Sequence, residues 1–119
     1  MAAEDRDTRL RKVFGTRETP RVDEDSLALY QEFLRNWLEE PCFVFMVHED
    51  GAPFEALELL EISESFDTEQ GLQAVVRRTS DSRQFELPLA HLECPVEDAT
   101  NHELIDDYCQ WFVRSILPL

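Results

Sequence analysis

The last stretch of the chain, residues 100–116, carries the apolar pattern of a long amphipathic helix. Its large apolar side chains recur three and four residues apart: Leu104, Ile105, Tyr108, Trp111, Phe112 and Ile116. This spacing places them on one wide face, which must be buried against another element of the fold. Thr100 and Glu103 have the spacing of a capping box, and Pro118 lies where the helix should end. We therefore expect this helix to cover a sheet formed by the middle of the chain.

A second amphipathic helix is predicted over residues 24–40. Its apolar face is formed by Leu27, Tyr30, Leu34, Trp37 and Leu38. Asp23 or Asp25 suits the N-cap position, because a short carboxylate side chain accepts a hydrogen bond from a free backbone N–H there. Pro41 ends the helix, since proline lacks the N–H that a helix interior needs.

From Pro41 onward the apolar residues follow the pattern of β-strands. Four strands are predicted, at residues 42–48, 54–63, 72–80 and 83–89, and the last two form a hairpin around Ser80-Asp81-Ser82. The order helix, strands, helix predicts an α+β fold. We expect a small curled antiparallel sheet, an SH3-like barrel of about four to five strands, packed with an N-terminal and a C-terminal helix.

Negative charge is the strongest compositional signal. The 119 residues carry a formal net charge of −15, from 11 Lys and Arg against 26 Asp and Glu. Residues 1–22 hold six of the basic residues and four of the acidic ones, a net of +2, which leaves −17 on residues 23–119. We expect residues 1–22 to form a mobile basic N-terminal arm, because they lack a sustained apolar face. Residues 23–119 are predicted to form a single acidic α+β domain.

This charge restricts the partners that the protein can have. A strongly negative domain repels nucleic-acid phosphate and anionic membranes, and it attracts metal cations and basic proteins. We therefore expect no nucleic acid and no membrane as partners, and a divalent cation or a basic protein instead. A third interpretation is that the acidic side chains only keep a small protein soluble.

The chain has none of the local patterns of an enzyme active site. Its three glycines are too scattered for a phosphate-binding loop, and no nucleophile has a base at a recognised spacing. We predict that the protein is not an enzyme. Cys42, Cys94 and Cys109 form no CxxC pair, and no secretory segment follows Met1, so reduced thiols and a cytoplasmic location are expected. The spacings of Cys and His predict no zinc site.

Carboxylates gather at the predicted loops and helix ends, and this distribution suggests a calcium site. Calcium takes about six to eight oxygen ligands from carboxylates, carbonyls and water. The chain has no EF-hand calcium loop, so a site must be assembled from separate segments of the chain. Local clustering selects Asp50, Glu55 and Asp98 as candidate ligands.

Four groups of residues between positions 24 and 113 form a recognisable series. They are Leu29-Tyr30-Gln31-Glu32-Phe33-Leu34, Pro41 with Phe43, Phe85-Glu86-Leu87-Pro88-Leu89 followed by Leu92-Glu93, and Asn101 with Asp106-Asp107-Tyr108 and Trp111-Phe112. Together they resemble the small family of acidic bacterial proteins to which the cyanobacterial calcium-binding protein belongs. The resemblance implies an SH3-like fold and calcium binding through clustered carboxylates. It adds Asp106 and Asp107 as candidate ligands, since both match a motif of that family.

The predicted function is therefore that of a calcium-binding protein, a cytoplasmic buffer or sensor, with these five acidic residues as candidate ligands. The alternative is an acidic, non-enzymatic interaction module that binds a basic partner or mimics nucleic acid. A calcium site needs the carboxylates to converge on one point, whereas an interaction module spreads them over one face. Asp106 and Asp107 are expected to point away from the apolar face of their helix, toward solvent or a neighbouring acidic loop.

Overall fold

Three α-helices and five β-strands make up residues 5–46 and 55–116, the part of the chain that the computed structural model describes. The helices are α1 (Arg6–Phe14), α2 (Glu24–Trp37) and α3 (Ala99–Ile116). The strands are β1 (Cys42–Met46), β2 (Glu55–Asp67), β3 (Gly71–Arg78), β4 (Gln84–Pro88) and β5 (Leu92–Glu93), with a 3₁₀ turn at Leu89–His91. None of the helices in these ranges has the length and apolar character needed to cross a bilayer.

The strands form one antiparallel sheet in the order β4-β3-β2-β1-β5, which confirms the predicted α+β class. Within the described residues the sheet stays open, with β4 and β5 as its edges, so the SH3-like barrel is not confirmed. Closure is unnecessary because the helices bury the apolar residues that the strands leave uncovered. The register of the long strand β2 against β3 shifts after Leu59 and again after Ile62, and irregularities of this kind bend a strand locally.

Strand β2 is longer than the sequence pattern predicts. The prediction ends this strand at residue 63 and places a polar connection over residues 64–71. In the structure the strand continues to Asp67, which pairs with Gly71 of β3. Glu64 and Ser65 are exposed, so polar side chains are compatible with this end of the strand and conceal it in the sequence.

An aromatic cluster joins the three helices. The ring of Tyr30 on α2 lies 5.1 Å from that of Tyr108 and 5.2 Å from that of Trp111, both on α3. Phe14 of α1 packs edge-on against Tyr30, with 5.5 Å between the ring centroids. Tyr108, Trp111 and Phe112 are all buried, so the predicted apolar face of the last helix is part of the core.

Residues 6–14, which belong to the predicted mobile arm, form helix α1 and pack against the domain. Its N-terminus is capped by Asp5, whose carboxylate accepts a hydrogen bond from the backbone N–H of Thr8 at 2.8 Å. Gly15 ends it in the left-handed conformation, with φ at 66°. Leu10 and Phe14 are buried in the core, and these two side chains provide the apolar contact that the arm was not expected to make.

The helix boundaries differ from the predicted ones at two ends. Helix α3 begins at Ala99, and Glu103 forms an ion pair with Arg9 across 3.5 Å, so the predicted capping box of Thr100 and Glu103 is wrong. Helix α2 begins as predicted after Asp23, whose carboxylate accepts from the N–H of Ser26 at 2.7 Å. It ends at Trp37, three residues before the predicted end.

Candidate functional site

The acidic face of α3 is occupied by the basic side chains of α1. Arg9 makes two hydrogen bonds to Asp107, from Nε to Oδ2 at 2.6 Å and from Nη2 to Oδ1 at 3.0 Å. Arg6 donates from Nε to Asp107 Oδ1 at 3.0 Å and from Nη2 to Asp106 Oδ2 at 2.6 Å. Hydrogen bonds to Asp107 raise the pKa of Arg9 above its ordinary value, so the guanidinium stays charged.

Asp107 is buried, with 5% of its surface exposed, and this differs from the expectation that it faces solvent or an acidic loop. A buried carboxylate needs a compensating charge, and the two guanidinium groups supply it. Asp106 is more exposed, and its Oδ2 accepts a hydrogen bond from Arg6. A metal ion at Asp107 would therefore compete with two arginines, and one at Asp106 would compete with Arg6.

Asp98 lies in different surroundings, directly before the first residue of α3. Its Oδ2 accepts a hydrogen bond from Asn101 Nδ2 at 2.7 Å and lies 3.9 Å from the sulfur of Cys94. Asn101 is 1% exposed and also binds the backbone of Glu39, from whose N–H it accepts and to whose carbonyl it donates, both at 2.9 Å. The amide thus fixes the Asp98 carboxylate and joins it to the segment between α2 and β1.

Two cysteines lie beside the Asp98 carboxylate. The sulfur atoms of Cys42 and Cys94 and a carboxylate oxygen of Asp98 all lie within 4.8 Å of one another. Cys42 and Cys94 are both buried, with 2% and 4% of their surface exposed. Burial, together with the charge of Asp98, raises the pKa of Cys42 to about 12 and that of Cys94 to about 11.

Sequence reasoning missed this group because Cys42 and Cys94 are far apart in the chain and show no metal-binding spacing. They meet because β1 pairs with β5, and β5 is only two residues long. So short a strand has no apolar period, and no local pattern reveals its partner. The proline that precedes Cys42 and the one that follows Cys94 mark element ends but not their proximity.

The other two predicted ligands belong to the segment between β1 and β2. Asp50 lies outside the described residues, as does the side chain of Glu55. The backbone of Glu55 pairs with Met46, which also pairs with Leu92 of β5. The segment that carries Asp50 therefore leaves and rejoins the sheet at the end where β5 lies.

An acidic cavity of about 320 Å³ lies beside this end of the sheet, between β5 and α3. Glu93 and Asp106 line it, together with His102, Cys109 and Gln110. Burial raises the pKa of the Cys109 thiol to about 12, and the charges of Asp106 and Glu93 contribute to the shift. Both carboxylates therefore act on the Cys109 thiol, which lines the same cavity. Glu93 was not among the predicted ligands.

A larger groove of about 730 Å³ runs between the three helices. Its apolar lining includes Val13, Phe33, Trp37 and Leu104, and the Trp37 residue is 62% exposed. Charged residues of both signs also line it: Arg9, Lys12, Glu39, Glu103 and Asp107. An exposed indole beside carboxylates is suited to contact a cationic side chain.

No protein-family model and no curated protein matches the sequence. Among solved structures, the crystal structure of Anabaena CcbP is similar, with a TM-score of 0.62 and 18% sequence identity. The match covers 93% of this chain and 94% of that chain. At this level of identity the likeness shows that the two chains share a fold, an α+β arrangement that includes almost the whole length of both.

Proposed function

We propose that this protein is a non-enzymatic calcium-binding protein whose site lies at the end of the sheet formed by Met46, Glu55 and β5. The observation that carries the proposal is the acidic cavity between β5 and α3, into which Glu93 and Asp106 bring negative charge from two elements. The segment that contains Asp50 joins Met46, which pairs with Leu92 of β5, to Glu55, which pairs with Met46. A buffer or sensor role in the cytoplasm is part of this proposal.

The chemistry of these groups suits a hard cation. Calcium accepts carboxylates in one-oxygen or two-oxygen mode at flexible geometry, with backbone carbonyls and water completing about six to eight ligands. The charge of −17 on residues 23–119 attracts such an ion from a distance. The fold shared with Anabaena CcbP and the motif resemblance to a family with a calcium-binding member support the same function.

The predicted ligands contribute unequally to this proposed site. Asp50, Glu55 and Asp106 remain candidate ligands, and Glu93 is added to them. Asp107 acts as the anchor of α1, because both of its oxygens bind guanidinium groups. Asp98 belongs to the group with two sulfur atoms, and sulfur is a poor ligand for calcium.

Calorimetric titration of chelator-treated protein with calcium at physiological salt tests the proposal, with thermal denaturation as a second readout. Binding to the folded state must raise the melting temperature. We expect E93Q and D50N to weaken binding and E86Q to leave it unchanged. Glu86 lies on β4, the opposite edge of the sheet, and its substitution removes the same charge. A titration without heat and without a shift in melting temperature at millimolar calcium would refute the proposal.

A second candidate function is an interaction module for a basic partner. The contacts of Arg6 and Arg9 with Asp106 and Asp107 favour it, because they demonstrate that the acidic face of α3 can bind guanidinium groups. The neighbouring groove with exposed Trp37 offers further surface for a basic peptide. Affinity capture from lysate with and without chelator separates the two functions: partners retained in chelator, and lost in W37A, favour the module.

A further inference from the structure

Cys42, Cys94 and Asp98 bring three potential metal ligands together from three elements of the fold. Cys42 is the first residue of β1, Cys94 follows β5 and Asp98 precedes α3. Their two sulfur atoms and one carboxylate oxygen lie within 4.8 Å of one another. Side chains from separate elements that point to one place form a site that is defined by the tertiary fold.

The separations are compatible with one metal ion. In a tetrahedral zinc site the metal–sulfur distance is about 2.3 Å and the metal–oxygen distance about 2.0–2.2 Å, which puts ligand atoms roughly 3.5–4 Å apart. The sulfur of Cys94 lies 3.9 Å from Asp98 Oδ2, within that range. The remaining pairs of ligand atoms are at most 4.8 Å apart, less than about 1 Å beyond that range.

A second layer of contacts holds the carboxylate in place. Asn101 donates to Asp98 Oδ2 at 2.7 Å and is itself fixed by two hydrogen bonds to the backbone of Glu39. Carboxylates that ligate metals are commonly hydrogen-bonded in this way, because the outer contact orients the ligand. The buried amide of Asn101 therefore holds the Asp98 carboxylate in one orientation.

We propose that Cys42, Cys94 and Asp98 form a binding site for a thiophilic divalent metal ion, with zinc as the reference ion. Thiolate ligands select zinc and other soft or borderline metals, whereas calcium prefers oxygen. On binding, each cysteine forms a sulfur–metal bond and its thiol proton passes to the buffer. Three protein ligands leave the fourth tetrahedral position to water or an external ligand. The proposed calcium site uses oxygen ligands instead, and it adjoins this site because Cys94 also lines the cavity between β5 and α3.

Cobalt(II) titration of the reduced full-length protein tests this site, because cobalt replaces zinc in tetrahedral thiolate sites and absorbs light. We expect a near-ultraviolet thiolate-to-cobalt band and visible bands that stoichiometric zinc removes. C42S and C94S should each abolish the thiolate band, and D98N should weaken cobalt affinity at least tenfold. C109S is the matched control: the Cys109 thiol lies near the carbonyl oxygen of Leu89, outside the group, and its loss should leave the cobalt spectrum unchanged.

Circular dichroism of each variant without metal verifies that the variant is folded. If a cysteine variant does not fold, D98N, which keeps the size of the side chain, takes its place as the test of the site. The proposal fails if the wild-type protein gives no thiolate band, or if C42S and C94S retain it. It also fails if mass spectrometry finds a Cys42–Cys94 disulfide under reducing conditions with cobalt present. The calcium variant E93Q should keep the cobalt spectrum, so the two sites fail or succeed independently.

Discussion

Arg9 and Asp107 are 98 residues apart in the sequence and share two hydrogen bonds, at 2.6 and 3.0 Å. This pairing fixes α1 to α3 and satisfies a carboxylate that is almost completely buried. Charge-assisted, two-point contacts of this kind are stronger than ordinary hydrogen bonds. The basic N-terminal residues therefore have a structural role in the acidic domain.

D107N should lower the free energy of unfolding by about 1–3 kcal/mol, because two guanidinium groups lose a buried charged partner. Urea denaturation measures the change. D81N is the matched control, since Asp81 pairs with Arg78 at 3.3 Å on the surface and its loss should cost at most about 0.5 kcal/mol. Equal losses in the two variants would contradict a structural role for Asp107.

The period of the apolar residues predicted most of the fold. Tyr108, Trp111 and Phe112 are buried on one face of α3 as the spacing requires, and the predicted strands are present. Helix α1 was missed because its buried face consists of only Leu10 and Phe14. Its remaining stabilisation comes from ion pairs with residues about a hundred positions away, and no local pattern contains that information.

The candidate site was less predictable than the fold. Clustering in the sequence shows where acidic residues are abundant, but it does not indicate which side chains they contact. Asp107 is paired with α1 and Asp98 lies beside two sulfur atoms, and both facts depend on contacts between distant elements. Charge counts therefore indicate which ions a protein attracts, whereas the identity of the ligands depends on how the elements pack together.

G71A should destabilise the protein by about 2–4 kcal/mol. A Cβ at residue 71 would lie 2.3 Å from the hydroxyl of Tyr108 and 2.7 Å from the ring of Phe112, and φ there is +75°. Steric overlap and the left-handed backbone both disfavour alanine. G15A is the control, because φ is +66° but a Cβ there meets nothing within 4 Å. Its cost should be about 1 kcal/mol in the same denaturation experiment.

Y108F should cost about 1–3 kcal/mol, although it removes one atom. The hydroxyl of Tyr108 accepts a hydrogen bond from the backbone N–H of Leu72 at 2.8 Å in the core. Without it, a buried donor is left unsatisfied. Amide hydrogen exchange should show faster exchange at Leu72 in the variant. Unchanged exchange there would contradict the importance of this contact.

Stability should fall as the pH rises above about 9, and Cys109 should account for part of the loss. Burial raises the pKa of its thiol from the ordinary 9.0 to about 12, so the folded protein holds a proton that the unfolded chain releases. The unfolded state then binds fewer protons, and the free energy of unfolding decreases with pH. The contribution is complete below pH 9 and is lost progressively up to pH 12.

The difference between wild type and C109S measures this effect. In chelator and reductant, the wild type should lose about 1.4 kcal/mol more than C109S between pH 8 and pH 10, the equivalent of about one pKa unit. Chemical denaturation at the two pH values gives both numbers. Parallel decreases in the two proteins would show that Cys109 does not contribute.

R6A should increase calcium affinity if Asp106 is a ligand in the proposed site. Arg6 occupies Asp106 Oδ2 at 2.6 Å, so its removal frees an oxygen and deletes a positive charge near the cavity. An exposed charge pair at this distance is worth up to about 1 kcal/mol, so the dissociation constant should fall roughly threefold to fivefold. R17A removes the same charge from an exposed position outside the helix and should leave the affinity nearly unchanged. Calorimetric titration of both variants measures the difference. Equal or weaker binding by R6A would exclude Asp106 from the ligand set and leave the cavity's calcium affinity to Glu93 and the β1–β2 segment.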